Sequence, residues 1–382
     1  HSMRSPLRIL LAALLLSASA LARADEPPMP PPPSLPASAW ILVDQATGRT
    51  LAGKDVGVRV EPASLTKLMT AYAVFQALRD RKFALDTEVP ISERAWRAEG
   101  SRTFVNVGSR VPVEVLIQGM IVQSGNDATI ALAEAVAGTE ETFAALMNQY
   151  SERLGMKDSH FENSTGLPGA DHRMTVADIA RLTRAIIREF PDYYRWYSQR
   201  EFTWNGITQP NRNGLLARDP SVDGVKTGMT DAAGYCLVSS AERDGMRLVA
   251  VVMGTSDMKA REDASLALLN YGFSFFETRV LQPAGKEMAV QRVYKARGGR
   301  AAIGVTSDFK VTLPRGQADR VELKLELAPK VFAPLTVADQ VGVARALVDG
   351  KVVAEAPLHP LATVPRGNIF RRIWDTILSW FA

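Results

Sequence analysis

Cysteine and histidine are almost missing from this chain of 382 residues, which has one cysteine, Cys236, and four histidines, His1, His160, His172 and His359. A single cysteine cannot close an intrachain disulfide, so Cys236 reads as a small apolar strand residue. No His/Cys cluster has metal-ligand spacing and no glycine-rich phosphate loop is present, so no cofactor is expected. None of the histidines stands in a triad context, and no Gly-x-Ser-x-Gly elbow occurs. A serine activated by imidazole is therefore not the expected chemistry. Charge of one sign is not in large excess either: 45 Lys and Arg against 41 Asp and Glu leave +4. That mild basicity, with a pI near 9.1, suits anionic lipid or wall polymer and gives no footprint for nucleic acid. Long apolar runs are lacking as well. Ile9 to Leu16 falls short of the ~20 residues a membrane span needs. With Met3, Arg4 and Arg8 before it and Ala22-Arg23-Ala24 after it, this run reads as an export signal cleaved before Asp25.

What the chain does have is an ordered trio: Ser64-Leu65-Thr66-Lys67, Ser124-Gly125-Asn126 and Lys226-Thr227-Gly228. On a helix, a side chain three positions on lies one turn away on the same face, which puts Lys67 beside Ser64. The following residues, Leu68, Met69, Ala71, Tyr72, Ala73, Val74 and Phe75, are apolar nearly all round and predict a buried helix. Pro62 suits its first turn, so Ser64 is expected near the helix N-terminus, where free N–H groups favour developing negative charge. With no histidine to take the serine proton, Lys67 is the candidate base. Its free amine becomes accessible when burial or a second cation, here Lys226, disfavours the charge.

Ser-x-x-Lys alone is a cheap pattern. Ser256-Asp257-Met258-Lys259 and Ser307-Asp308-Phe309-Lys310 also match it and read as surface polar residues. Lys-Thr-Gly appears once, and the specificity lies in the ordered set. Ser124 to Asp127 is turn chemistry directly before the helical run Ala128 to Ala137, which projects Ser124 and Asn126 from a loop. Lys226 to Gly228 precedes Gly234 to Val238 and Leu248 to Val252, which read as buried antiparallel strands, so the motif belongs on a strand.

Composition divides the chain into residues 1–24, a cloning remnant His1-Ser2 followed by the export signal; 25–36, a proline-rich spacer; 37–278; 279–366; and 367–382. The third segment mixes elements: a hairpin from Ala39 to Ala52, and helical periodicity over Ala128 to Tyr150 and Thr175 to Phe190. The fourth shows period-two alternation in Phe309 to Leu313, Val321 to Leu327 and Lys351 to Ala354, which predicts a small β-sandwich. The last carries Ile369, Phe370, Ile373, Trp374, Ile377, Leu378 and Phe381 on one helical stripe, too short to span a bilayer, and reads as an interfacial membrane anchor.

The trio, together with Glu61 to Met69, Asn211-Arg212-Asn213-Gly214-Leu215-Leu216, Val222 to Gly228 and Tyr271 to Thr278, resembles the penicillin-binding protein 5/6 family of D-alanyl-D-alanine carboxypeptidases from about Ala37 onward. The resemblance implies an α+β fold: a β-lactamase/transpeptidase-like catalytic domain, then a small all-β sandwich domain and a C-terminal amphipathic helix. It implies that Ser64 attacks the carbonyl between the terminal D-alanines of a peptidoglycan stem peptide and that β-lactams acylate the same serine. Lys67 would be the base, Ser124 the relay to the leaving amine, and Asn126 the holder of Lys67 and of the substrate amide. The N–H groups of Ser64 and Met229 would form the oxyanion hole. Lys226, Thr227 and Gly228 would line the carboxylate site, with Arg261 and then Arg212 as the arginines that grip it. The expected place of work is the periplasmic face of the bacterial inner membrane.

The chain departs from the family pattern at Met229 and Thr165, where histidines are frequent. Glu162 lies in a region where class A β-lactamases mount a deacylating glutamate, but at different spacing. A serine β-lactamase and a non-catalytic β-lactam sensor remain the alternative readings.

Overall fold

The apolar run Leu248 to Val252 shows no alternation in sequence because the strand that carries it, Met246–Thr255, is covered on both faces. The computed structural model describes residues 29–382, and the export-signal reading lies outside them. The strand sits at the centre of a five-stranded antiparallel sheet, in the order Thr50–Lys54, Ala39–Asp44, Met246–Thr255, Gly234–Arg243, Val222–Thr230. Leu248, Ala250 and Val252 pack with Leu42, Leu237 and, from the helix Met258–Phe275, Leu268 and Leu269. Val249 and Val251 join Ile41, Val43 and Val238 against the helical body on the other side. Cys236 is fully buried there, and burial pushes its thiol up to about 11, so it is inert packing.

At the middle of the helical body lies Lys67–Arg79, buried from Lys67 through Phe75. The periodicity over Ala128 to Tyr150 is carried by two helices, Asn126–Ala137 and Glu140–Arg153. Gly138, at φ +84°, ends the first, and Thr139 caps the second by accepting from the Thr142 N–H. The periodicity over Thr175 to Phe190 forms one helix, Val176–Glu189. Of the two stray Ser-x-x-Lys matches, one caps a helix: Asp257 accepts from the Ala260 N–H at the start of Met258–Phe275, and Lys259 pairs with Asp263 in solvent.

Beyond that helix the chain enters Phe276–Gln282, which pairs with Phe309–Pro314. The other strands form a six-stranded sheet in the order Glu322–Leu327, Gly342–Val348, Lys351–Pro360, Arg300–Gly304, Ala289–Tyr294, Val331–Phe332. Phe309 enters the core with Val293, Ile303, Ala344 and Leu358, while Val311 and Leu313 pack with Val348. Of the alternation seen in the sequence, Phe309, Val311 and Leu313 form this inward set, whereas Leu323, Leu325 and Val352 are exposed.

Hydroxyls join this β region to the first hairpin. Asp44 is fully buried and accepts from the Thr47 N–H at 2.8 Å and from Thr278 Oγ1 at 2.7 Å. Thr312 Oγ1 lies 2.8 Å from both Thr47 Oγ1 and Thr278 Oγ1.

The terminal helix, Ile369–Phe381, inverts the usual arrangement. Its buried residues are Asp375 and Ser379. Asp375 accepts from the Lys295 N–H at 2.6 Å and from Arg371 Nε at 3.1 Å, and Lys330 Nζ donates to the Ser379 carbonyl at 2.7 Å. Phe370, Trp374 and Trp380 are 80%, 58% and 75% exposed. The helix therefore docks through its polar side and turns its apolar stripe outward. Among the described residues no helix is long and apolar enough to cross a membrane.

Replacing Thr312 with valine removes a hydroxyl shared by both halves of the junction. Stability is expected to fall by about 1 to 3 kcal/mol, read as a lower urea midpoint at an unchanged slope.

Candidate active site

Three residues per turn, rather than 3.6, set the geometry of the nucleophile. Ser64 lies on a 3-10 turn, Ala63–Thr66, that leads into the helix starting at Lys67. This corrects the expected α-helical placement, and it strengthens the reason for the spacing: in a 3-10 turn side chains at i and i+3 eclipse. Lys67 Nζ accordingly lies 2.8 Å from Ser64 Oγ. The turn is strained, since Ala63 has φ +50°. It is held from outside by Gly166, at φ +90°, where an added Cβ would stand 1.7 Å from the Ala63 carbonyl oxygen. Only glycine fits that approach.

Ser124 comes from the opposite side. It sits in the loop between helices Val113–Val122 and Asn126–Ala137, also at positive φ, +60°, and its Oγ is 2.9 Å from Lys67 Nζ. The loop is fixed by Asp127, whose carboxylate accepts from the N–H groups of Thr103, Phe104, Val105 and Ala128. Gly125 leaves room for Thr103, whose Oγ1 would lie 2.0 Å from a Cβ. Asn126 Nδ2 donates to the Glu99 carbonyl at 2.6 Å, while its buried Oδ1 has no partner. The expected bond from Asn126 to Lys67 is thus absent from the hydrogen bonds of Lys67 Nζ, which go to the two serines. Asn126 lines the cleft, with its Oδ1 buried and unpartnered.

The third wall is the edge strand Val222–Thr230. A Cβ on Gly228 would come within 3.1 Å of Ser64 N, which places this strand's backbone directly beside the nucleophile's amide. Lys226 is 3% exposed, so it is no solvated edge lysine; its Nζ donates to the Thr227 carbonyl at 2.9 Å. Arg261, 4% exposed, reaches the Gly228 carbonyl at 3.5 Å, lies 5.5 Å from the Tyr235 ring centroid, and leaves its Nε without a partner. Arg212 stands exposed at the rim. Ser64, Ser124, Asn126, Thr227, Met229, Arg212 and Arg261 line one cleft of about 700 Å³, with Thr165 and Glu262 also on its wall.

Burial, then the charge of Arg212, lower Lys67 to about 7, against an opposing pull from Asp127. Lys226 is lowered well below its ordinary value by burial, then by Lys67, Arg212 and Arg261. Lys67 and Lys226 thus disfavour each other's charge, as the sequence suggested, and Arg212 acts on both. Glu162 is committed to its own loop: its Oε1 accepts from the Asp171 N–H, and it does not line the cleft. The sequence did not reveal Asp127 or Gly166 as parts of the site, because one makes only main-chain contacts and the other is defined by a close approach.

A serine and an amine in contact, with a second hydroxyl on the same amine and a buried cationic wall opposite, define a serine acyltransferase that acts on anionic substrates. Residues 26–257 match the D-alanyl-D-alanine carboxypeptidase family and residues 276–366 the penicillin-binding protein 5 C-terminal domain. The chain belongs to the D-alanyl-D-alanine carboxypeptidase family. It is 41% identical to D-alanyl-D-alanine carboxypeptidase DacA of Escherichia coli K12 over 92% of this chain and 90% of that one. It is similar in structure to penicillin-binding protein 5 of Haemophilus influenzae, with TM-score 0.82 and 39% identity over 88% of this chain and all of that one. Penicillin-binding protein D2 of Listeria monocytogenes, solved in an ampicillin-bound form, has TM-score 0.59 and 28% identity over 64% of this chain and all of that one.

The titration of Lys67 has a defined sign. The free amine forms as pH rises, so penicillin acylation should rise through about pH 7 to a plateau. Arg212→Gln removes a cation that disfavours the ammonium, so the rise should move to higher pH. Stopped-flow acylation across pH checks both.

Proposed function

We propose that this serine-type D-alanyl-D-alanine carboxypeptidase removes the terminal D-alanine of peptidoglycan stem peptides through an acyl-enzyme on Ser64. The neutral Lys67 amine accepts the Ser64 proton as Oγ attacks the carbonyl between the two D-alanines. Ser124, on the same amine, passes a proton to the leaving D-alanine nitrogen, and water then cleaves the ester. The N–H groups of Ser64 and Met229 receive the oxyanion, a role supported by the approach of Gly228 to Ser64 N. Donors so aimed act where charge develops, each contributing about 2.7 to 4 kcal/mol in a well-studied protease. Asn126 Oδ1, unpartnered in the cleft wall, accepts from a substrate amide.

The observation that carries the carboxypeptidase reading is the cationic wall. Lys226 and Arg261 are buried together and Arg261 Nε is unpartnered, an arrangement that is costly until an anion arrives. A free C-terminal carboxylate, held with Thr227, supplies that anion, and guanidinium offers it a two-point grip. A β-lactam presents its own carboxylate to the same wall and its ring carbonyl to Ser64, in keeping with the ampicillin-bound Listeria relative. Hydrolysis of β-lactams as the main activity is disfavoured by the internal engagement of Glu162. A purely sensing role is disfavoured by the prepared amine.

The outward apolar stripe of Ile369–Phe381 supports a resting place in the interface of a bilayer, with the β domain holding the cleft above it. In this reading the enzyme works outside the cytoplasm, held by that helix at the periplasmic face of the inner membrane.

Ser64→Ala should abolish both D-alanine release and penicillin labelling. Arg261→Ala should lower kcat/KM on the order of a hundredfold for a peptide ending in a free carboxylate, and far less for its C-terminal amide; equal losses would refute the carboxylate role. A chain ending before Gly367 should no longer co-sediment with liposomes that the longer chain binds.

A further inference from the structure

His172 is 1% exposed and takes no part in the chemistry above, yet both of its ring nitrogens are engaged. Nδ1 accepts from the Glu162 N–H at 2.9 Å, and Nε2 lies 2.7 Å from Thr66 Oγ1. A backbone N–H can only donate, so Nδ1 carries the lone pair and Nε2 the proton. The ring is thereby fixed as one neutral tautomer that donates to Thr66. Thr66 is the last residue of the nucleophile's 3-10 turn.

Around that bond the loop from Phe161 to Met174 is stitched to the nucleophile segment at several points. Thr70 Oγ1 donates to the Ser164 carbonyl at 2.7 Å, and Val60 pairs with Met174 through the main chain. Gly166 presses on Ala63, and an added Cβ there would also stand 2.9 Å from Thr66 Oγ1. Phe161 meets the imidazole edge-on at 5.7 Å. The 3-10 turn has no side-chain cap of its own, and its residue Ala63 is strained. Strained backbone persists only where neighbours over-determine it.

Resting on the acyl-enzyme reading above, we propose that His172 is a positioning residue for acylation: its Nε2–H, donated to Thr66 Oγ1, holds the nucleophile turn in the conformation that sets Ser64 Oγ against Lys67 Nζ. His172 touches neither substrate nor reacting atoms. Its effect passes through Thr66 to the pitch of one turn.

The test measures single-turnover acylation by a labelled penicillin at saturating concentration, beside its binding constant, for Thr66→Val, Thr66→Ser, His172→Asn and the double variant Thr66→Val/His172→Asn. His172→Asn keeps an acceptor for the Glu162 N–H but loses the donor to Thr66. Thr66→Val should slow acylation about a hundredfold, the size of effect a 1 Å misplacement produces, with binding changed less than about threefold. Thr66→Ser, which keeps the hydroxyl, should restore the wild-type rate. The double variant should be no slower than the slower single one, since both remove the same bond. Wild-type acylation in Thr66→Val, independent additive losses, or a loss confined to binding would overturn the proposal. Nitrogen-15 spectra of the imidazole in the wild-type enzyme provide an arm that needs no variant: an Nδ1–H tautomer would overturn it whatever the variants do. Ser64→Ala fails the acyl-enzyme reading only if it still labels, so the two ideas fail separately.

Discussion

Two lysine amines and a guanidinium lie buried around one small cleft, among the described residues no carboxylate forms an ion pair with them, and most of the local structure serves to keep them there. Lys67 is covered because the helix it begins is the central helix of the catalytic domain. Lys226 is covered because its strand runs beside the nucleophile turn. Like charges in a poorly hydrated place disfavour each other's protonation, so on the proposed reading the same repulsion that frees one amine as a base leaves the wall ready for an anion. In the proposed mechanism, substrate binding and proton transfer are two consequences of a single electrostatic arrangement.

The arrangement is held by main chain more than by side chains. Asp127 gathers three consecutive N–H groups from residues 103–105, Gly166 meets a carbonyl, and Gly228 meets an amide. Both Ser64's turn and Ser124 are built on left-handed backbone at non-glycine positions. Such conformations cost about 1 to 3 kcal/mol each, and they persist here because surrounding contacts allow no other path.

The chemistry was legible in the sequence wherever residue type and spacing carry it: Ser64 with Lys67, the placement of Ser124 before a helix, and Lys226 on a strand. The alternation of Phe309, Val311 and Leu313 likewise announced a sheet with one buried face. Legibility failed where meaning lies in backbone proximity. A 3-10 turn and the first turn of an α-helix have the same one-letter pattern, so the pitch at Ser64 was invisible. Nothing about Arg212 in a polar loop shows that its charge bears on both buried lysines, Lys67 and Lys226. For the final helix, the stripe itself was plain, but only tertiary contacts to Asp375 and Ser379 reveal which side is turned away from the protein.

That orientation has a consequence for how the molecule behaves in solution. Phe370, Trp374, Trp380 and Phe381 form a greasy sole fixed beneath a folded β domain, and refolding cannot tuck it away because the polar side is already occupied. In plain buffer such a patch finds cover in another copy, a detergent micelle or the vessel wall. Recovery, apparent size and even measured specific activity would then vary with surfactant and protein concentration while the cleft itself stayed unaltered.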